Sequence, residues 1–219
     1  MTLPPFPESL YAALRAAPVA PVLTIDDAGQ APALAETLWS AGVRVFEVTL
    51  RTEAGLDALA RMAQAVPQAV VGVGTVAKAD HLARARDAGA SFAVAPGHTP
   101  DLLAAAERVG LPLIPGVATP SEMMRAREAG TVMQKLFPAE ALGGPALLRA
   151  VAEPLPDLVF WPTGGIDDTK TASYLSLPNV LVIGSSRVAP RGEIARAAWG
   201  EIASKAYTSL ETARAVPRG

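Results

Sequence analysis

The chain has 219 residues, half of them hydrophobic and 18% charged, with a formal net charge of −2. That balance supports a sizeable core, excludes a largely disordered chain, and argues against an electrostatic platform for nucleic acid or an anionic membrane. With no cysteine, disulfides and thiolate metal sites are excluded, and two separated histidines, His81 and His98, do not make a zinc site.

The start of the chain, Met1-Thr-Leu-Pro-Pro-Phe-Pro-Glu8, lacks a charged segment followed by an apolar one, so no secretory signal is expected. No stretch has the uninterrupted apolar length of a membrane span, and the expected location is the cytoplasm. A helix is predicted from about Glu8 to Ala17. Short β-branched or apolar runs then recur at 18–24, 43–49, 70–73, 92–95, 112–115, 132–136, 158–161 and 180–183. Their starts are roughly 20 to 27 residues apart, the length of one βα unit. Ala-rich segments with helical periodicity lie between them, such as 31–41, 55–65, 79–88 and 101–109. Gly42, Gly89, Gly110 and Gly130 fit the left-handed position that closes a helix. The runs are almost continuously apolar, as parallel strands covered on both faces are. Eight such units without a break in composition predict one α/β domain over 1–219, a single (β/α)₈ TIM barrel. The amino-terminal helix would cap its floor, and helices over 191–215 would close it. An open, doubly wound sheet is the competing architecture.

In such a barrel the functional side chains gather at the carboxyl ends of the strands. In the second run, Glu47, Thr49 and Arg51 are spaced by two and share one face. Glu47 is enclosed in sequence by Val45, Phe46, Val48 and Leu50. It is therefore either half of a buried ion pair that locks strands together or a catalytic acid/base. Arg51 offers a planar fork for a carboxylate, or is a surface arginine on a loop. The third run ends Val71-Gly-Val-Gly-Thr75, where small residues admit a ligand to the backbone and Thr75 offers a hydroxyl. Gly-Thr is also an ordinary strand-to-helix turn with a threonine N-cap. His98, after the fourth run, reads as a loop histidine.

The sixth run carries Lys135, one of four lysines against fifteen arginines. The other three, Lys78, Lys170 and Lys205, lie in polar surroundings. An amine among apolar side chains loses hydration, which favours the neutral, nucleophilic form able to build a Schiff base on a carbonyl. Taken alone, the position also suits a lysine with a buried stem and a hydrated head. The last two runs end Trp161-Pro-Thr-Gly-Gly-Ile166 and Ile183-Gly-Ser-Ser186. Glycine-rich turns opening onto helix N-termini at those two strands are a usual phosphate site in barrels. Two tight loops without a ligand are the alternative.

Together, Glu47-Val-Thr-Leu-Arg-Thr52, Gly72-Val-Gly-Thr75, Pro115-Gly-Val-Ala-Thr-Pro120, Lys135-Leu-Phe-Pro-Ala-Glu140 and Pro162-Thr-Gly-Gly-Ile166 resemble the class I 2-keto-3-deoxy-6-phosphogluconate aldolases. These are also known as 4-hydroxy-2-oxoglutarate aldolases, and the likeness runs from about Pro18 to Val188. It implies a TIM-barrel lyase that assembles as a homotrimer and uses no metal or other cofactor. By the same resemblance Lys135 would form the Schiff base and Glu47 would be the general acid/base. Arg51 and Thr75 would hold the pyruvate-derived carboxylate, Thr163 would contact substrate, and Gly164, Gly165 and Ser186 would receive the phosphate. Pro96 and Phe137 would be pocket walls. The implied partners are a phosphorylated keto-deoxy sugar acid and pyruvate, with neither nucleic acid nor membrane. Alternatives are the galacto epimer, unphosphorylated 4-hydroxy-2-oxoglutarate, or a barrel that binds phosphate or a keto acid without turnover.

The chain departs from the pattern in three places. Leu23-Thr24-Ile25 stands where some relatives carry an arginine at the end of the first strand. Ser185 stands where relatives often have a second glycine. Arg187 replaces a bulky apolar residue, and either contacts phosphate or faces solvent.

Overall fold

The structure, a computed structural model, describes residues 3–217, so the expected domain limits of 1 and 219 fall outside the described residues. Helix α1 (Glu8–Ala16) comes first, close to its predicted bounds. Strands β1 (Val19–Leu23), β2 (Val45–Thr49), β3 (Val70–Gly74), β4 (Phe92–Val94) and β5 (Leu113–Ile114) follow. They alternate with α2 (Ala31–Ser40), α3 (Gly55–Ala65), α4 (Asp80–Asp87) and α5 (Pro100–Val109). Next come β6 (Gly116–Val117), α6 (Pro120–Glu128), β7 (Met133–Leu136), α7 (Gly144–Ala152) and β8 (Val159–Phe160). The chain ends with α8 (Thr171–Leu175), β9 (Ile183–Ser185), α9 (Arg191–Ala195) and α10 (Trp199–Arg214). The four glycines expected at helix ends all take positive φ, from 74° at Gly110 to 99° at Gly42.

The strand pairs are all parallel, but they do not join into the single closed eight-stranded TIM barrel expected from the repeats. Six strands form one sheet in the order β5-β4-β3-β2-β1-β9, and three form a second in the order β6-β7-β8. Proline accounts for both breaks, because it has no N–H to give to a ladder. Pro115, the last residue of the fifth predicted run, separates β5 from β6, a strand beyond that run, and its carbonyl accepts instead from the Lys135 N–H at 2.9 Å. At the other edge, β8 stops one residue before Trp161-Pro162. The links to the β9 segment there are isolated bridges, Phe160 with Val180 and Thr163 with Gly184. The last strand also starts at Ile183, three residues beyond the start of its predicted run.

Two buried clusters hold the layers together. The larger lies between the strands and the surrounding helices, and includes Leu34, Leu38, Phe46, Leu59, Leu103 and Phe160. The smaller lies on the other face of the strands, where Leu10 and Leu14 of α1 pack with Val45, Phe92, Ile114, Met133 and Trp161. Each fully buried leucine of α1 contributes about 1.5–3 kcal/mol relative to exposure, which is what holds this short helix in place. No helix among the described residues is long and apolar enough to cross a membrane.

Candidate active site

Parallel pairing aligns the strand ends, and two residues from different sheets meet there. Lys135 of β7 lies opposite Gly116 of β6, and Glu47 of β2 opposite Gly72 of β3. The Lys135 Nζ donates to Glu47 Oε1 at 3.0 Å. The lysine side chain is 4% exposed and the glutamate 0%. Glu47 Oε2 is buried with no hydrogen-bond partner among the described residues, so one acceptor of this carboxylate is left open. A buried pair of this kind is a weak source of stability, and an unpaired buried oxygen makes it weaker still. The geometry suits proton exchange between the amine, the carboxylate and a bound molecule.

Gly74 makes room for this carboxylate. A Cβ there would lie 2.5 Å from Glu47 Oε1 and 2.7 Å from its Cγ. Gly74→Ala is therefore expected to displace Glu47 and lower kcat by about 10²-fold, the penalty typical of a misplacement near 1 Å. A steady-state assay alongside a thermal melt checks this, since loss of turnover should exceed any loss of folded protein. Unchanged kcat would show that the position of Glu47 is not critical.

Phe137 connects the pair to open space. Its ring centroid is 5.4 Å from Lys135 Nζ, and its side chain also lines a cavity of about 700 Å³. Thr24, Arg51, Thr163, Gly164, Gly165, Ser186, Arg187 and Arg191 line the same cavity. Arg51, in the turn after β2, is exposed and carries no ion pair among the described residues. Thr49 is turned to other work: it is buried, and its hydroxyl donates to the Leu23 carbonyl at 2.8 Å.

At the far side, Gly164 and Gly165 take φ of 108° and 80°, a left-handed path that glycine accepts readily. Thr163 is buried and its Oγ1 has no partner among the described residues. It closes on β9, because a Cβ on Gly184 would lie 2.2 Å from that oxygen. Ser185 does not crowd the cavity with its hydroxyl, which donates to the Ile166 carbonyl at 3.2 Å and accepts from the Arg187 N–H. Ser186 and Arg187 are exposed at the cavity edge, and the Arg187 guanidinium has no ion pair among the described residues.

Other predicted positions lie apart from this cavity lining. Thr75 follows β3 with φ of 61°. It does not cap α4, whose N-cap residue is Ala79. A left-handed β-branched residue costs about 1–3 kcal/mol and is typical of functional sites. Pro96 is exposed and packs through its backbone on β6, since a Cβ on Gly116 would lie 2.2 Å from the Pro96 carbonyl carbon. His98 is occupied by a loop contact, its Nδ1 2.9 Å from the Gly116 carbonyl oxygen.

The sequence reading missed Thr24 and Arg191 as lining residues. Thr24 Oγ1 is 3.2 Å from Thr49 Oγ1, and Thr24 lies in the Leu23-Thr24-Ile25 segment, which stands where some relatives carry an arginine. Arg191 is held by Asp26 through two hydrogen bonds of 2.8 and 2.6 Å. The hydrogen bonds lower the Asp26 pKa and raise that of Arg191, so both stay charged at neutral pH. The partners are 165 residues apart, and no spacing rule connects them.

A buried amine beside a carboxylate activates carbonyls, and arginines around a glycine turn grip anions. A parallel α/β protein with both belongs among enzymes that work on anionic carbonyl compounds through an amine. The comparisons with known proteins narrow this: a family model described as KDPG and KHG aldolase matches residues 10–205. The chain belongs to this family. It is 46% identical over 199 residues to the 2-dehydro-3-deoxy-phosphogluconate aldolase of Pseudoalteromonas atlantica, covering 91% of this chain and 93% of the other. Among solved structures, the KDPG aldolase of Legionella pneumophila, with pyruvate captured as a covalent carbinolamine, matches with a TM-score of 0.88. It is 38% identical and covers 91% of this chain and 97% of its own. The Zymomonas mobilis KDPG aldolase with 3-phosphoglycerate matches at 0.86 and 38% identity, covering 98% and 99%.

Proposed function

We propose that this chain is a class I aldolase that cleaves 2-keto-3-deoxy-6-phosphogluconate to pyruvate and glyceraldehyde 3-phosphate, and also acts on 4-hydroxy-2-oxoglutarate. The observation that carries it is the buried Lys135–Glu47 pair at 3.0 Å, joined through Phe137 to a cavity edged with arginine and floored with glycine. The relatives' names and the carbinolamine in the Legionella protein support the same chemistry.

Lys135 gives a proton to Glu47 and attacks the C2 ketone, forming a carbinolamine. Glu47 returns that proton to the departing hydroxyl, and loss of water leaves a protonated imine, which is an electron sink, with Glu47 again a carboxylate. Glu47 then takes the C4 hydroxyl proton, directly or through a water. The C3–C4 bond breaks, its electrons pass into an enamine, and the aldehyde fragment departs. Glu47 returns a proton to C3, and hydrolysis frees pyruvate and the amine. Because the sink is the covalent imine, the reaction calls on no metal or cofactor.

We assign Arg51 and Thr75 to the substrate carboxylate, and Thr163 to a substrate hydroxyl. Gly164, Gly165 and Ser186 are assigned to the phosphate, with Phe137 as a wall. Pro96 is kept as the opposite wall, reached through the β4–β6 contact. The chain acts as one domain, in keeping with the family match over 10–205, and as a homotrimer, which a sedimentation mass tests. A doubly charged phosphate ester does not leave the cell unaided, which favours the cytoplasm as the site of action.

The test is pyruvate release from each substrate in excess chelator. Release from the phosphorylated gluco substrate should persist and exceed that from its galacto epimer. Absence of release from all three compounds would sink the reading.

A further inference from the structure

The Gly164-Gly165 turn is gripped from behind. The Ala139 N–H donates to the Thr163 carbonyl at 2.8 Å, and the Glu140 N–H to the Gly164 carbonyl at 3.1 Å. The next carbonyl, of Gly165, accepts from the Lys170 Nζ at 3.1 Å. Lys170 is held in turn by Glu140 Oε2 at 2.6 Å, and the buried Tyr174 hydroxyl donates to Glu140 Oε1 at 2.5 Å. Close packing reinforces the grip: a Cβ on Gly165 would lie 2.8 Å from Glu140 Cγ, and one on Gly144 2.3 Å from the Tyr174 oxygen.

A trans peptide is planar, and its N–H points opposite to its C=O. Carbonyls drawn toward Glu140 and Lys170 therefore send the N–H groups of Gly165 and Ile166 the other way. Gly164, Gly165 and Ile166 all line the cavity, and none of their N–H groups has a protein acceptor among the described residues. Unpaired N–H groups in a left-handed turn make an anion-binding concavity.

We propose that Lys170 and Glu140 are positioning residues for the substrate phosphate, holding the glycine-turn carbonyls back so that its N–H groups meet the anion. The two are linked by an ion pair that lowers the Glu140 pKa and raises that of Lys170, so both remain charged at neutral pH. Tyr174 fixes the carboxylate from the protein side. The inference rests on the proposed function for the identity of the anion, but not for the geometry of the turn.

The experiment compares Lys170→Met and Glu140→Gln with wild type. Calorimetry measures binding of 3-phosphoglycerate, the compound present in the Zymomonas structure, and borohydride trapping of pyruvate on Lys135 reports the rest of the site. Both variants should weaken 3-phosphoglycerate binding about tenfold, the worth of one hydrogen bond to a charged group, with trapping unchanged. Glu140→Gln decides between explanations. It removes a negative charge, so simple electrostatics predicts tighter anion binding, whereas loss of the clamp predicts weaker binding. Tighter or unchanged binding in Glu140→Gln overturns the inference, as does a wild type that does not bind 3-phosphoglycerate, or trapping that falls in step with binding. If the binding shifts hold while wild type releases no pyruvate, the clamp stands and the aldolase reading falls.

Discussion

Lys135→Met is expected to reduce pyruvate release to background and to abolish borohydride-dependent addition of pyruvate mass, which wild type should show on Lys135. The same substitution separates chemistry from stability. It leaves the Glu47 carboxylate buried without its cation, and breaking one side of such a pair costs about 3–5 kcal/mol. Adding Glu47→Leu removes the stranded charge, so the double variant should recover most of that loss and remain inactive. Denaturant titration of the three proteins gives the comparison. Recovered stability without activity would show that the pair persists for its chemistry rather than for the fold. Turnover surviving in Lys135→Met would sink the imine mechanism.

Glu47→Gln should lower kcat by about 10²- to 10⁴-fold, the usual worth of a positioned acid/base, while Lys135 can still be trapped with pyruvate. The carboxylate serves both the C4 hydroxyl and C3, so exchange of the pyruvate methyl protons with solvent deuterium should fall in parallel. Proton NMR of pyruvate with enzyme in heavy water follows that exchange without any cleavage. Exchange that continued at the wild-type rate would move the C3 proton transfer to another group and leave Glu47 a structural partner.

The reacting pair was legible because each member breaks a local rule. A glutamate within Val45 to Leu50 and a lysine within Val132 to Phe137 are both costly to bury unless paired or used. The βα repeats and the helix-closing glycines were legible for the same reason, being short-range patterns. Closure was not. Counting eight units says nothing about whether neighbouring strands exchange hydrogen bonds along their length, and Pro115 and Pro162 withhold donors where the ring would have had to join. The Asp26–Arg191 contact joins distant segments, and the left-handed backbone at Thr75 has no residue-type signal, since threonine is among the least expected residues there. Glu140 lay within a motif already recognised. Its grip on the glycine turn depends on Lys170, at the N-cap of α8, and on Tyr174 within that helix, 34 residues further along the chain.

The split between β5 and β6 has a consequence for where the reacting groups are mounted. The nucleophile is carried by the three-stranded unit and the proton acceptor by the six-stranded one, so the two halves of one reaction belong to separate ladders. Sliding of one unit against the other would have to break the Phe160–Val180 and Thr163–Gly184 bridges and the Lys135–Pro115 hydrogen bond, so the spacing of amine and acid is held from both edges. The Lys135–Glu47 hydrogen bond crosses that seam, so a molecule that engages both groups is handled by two ladders at once.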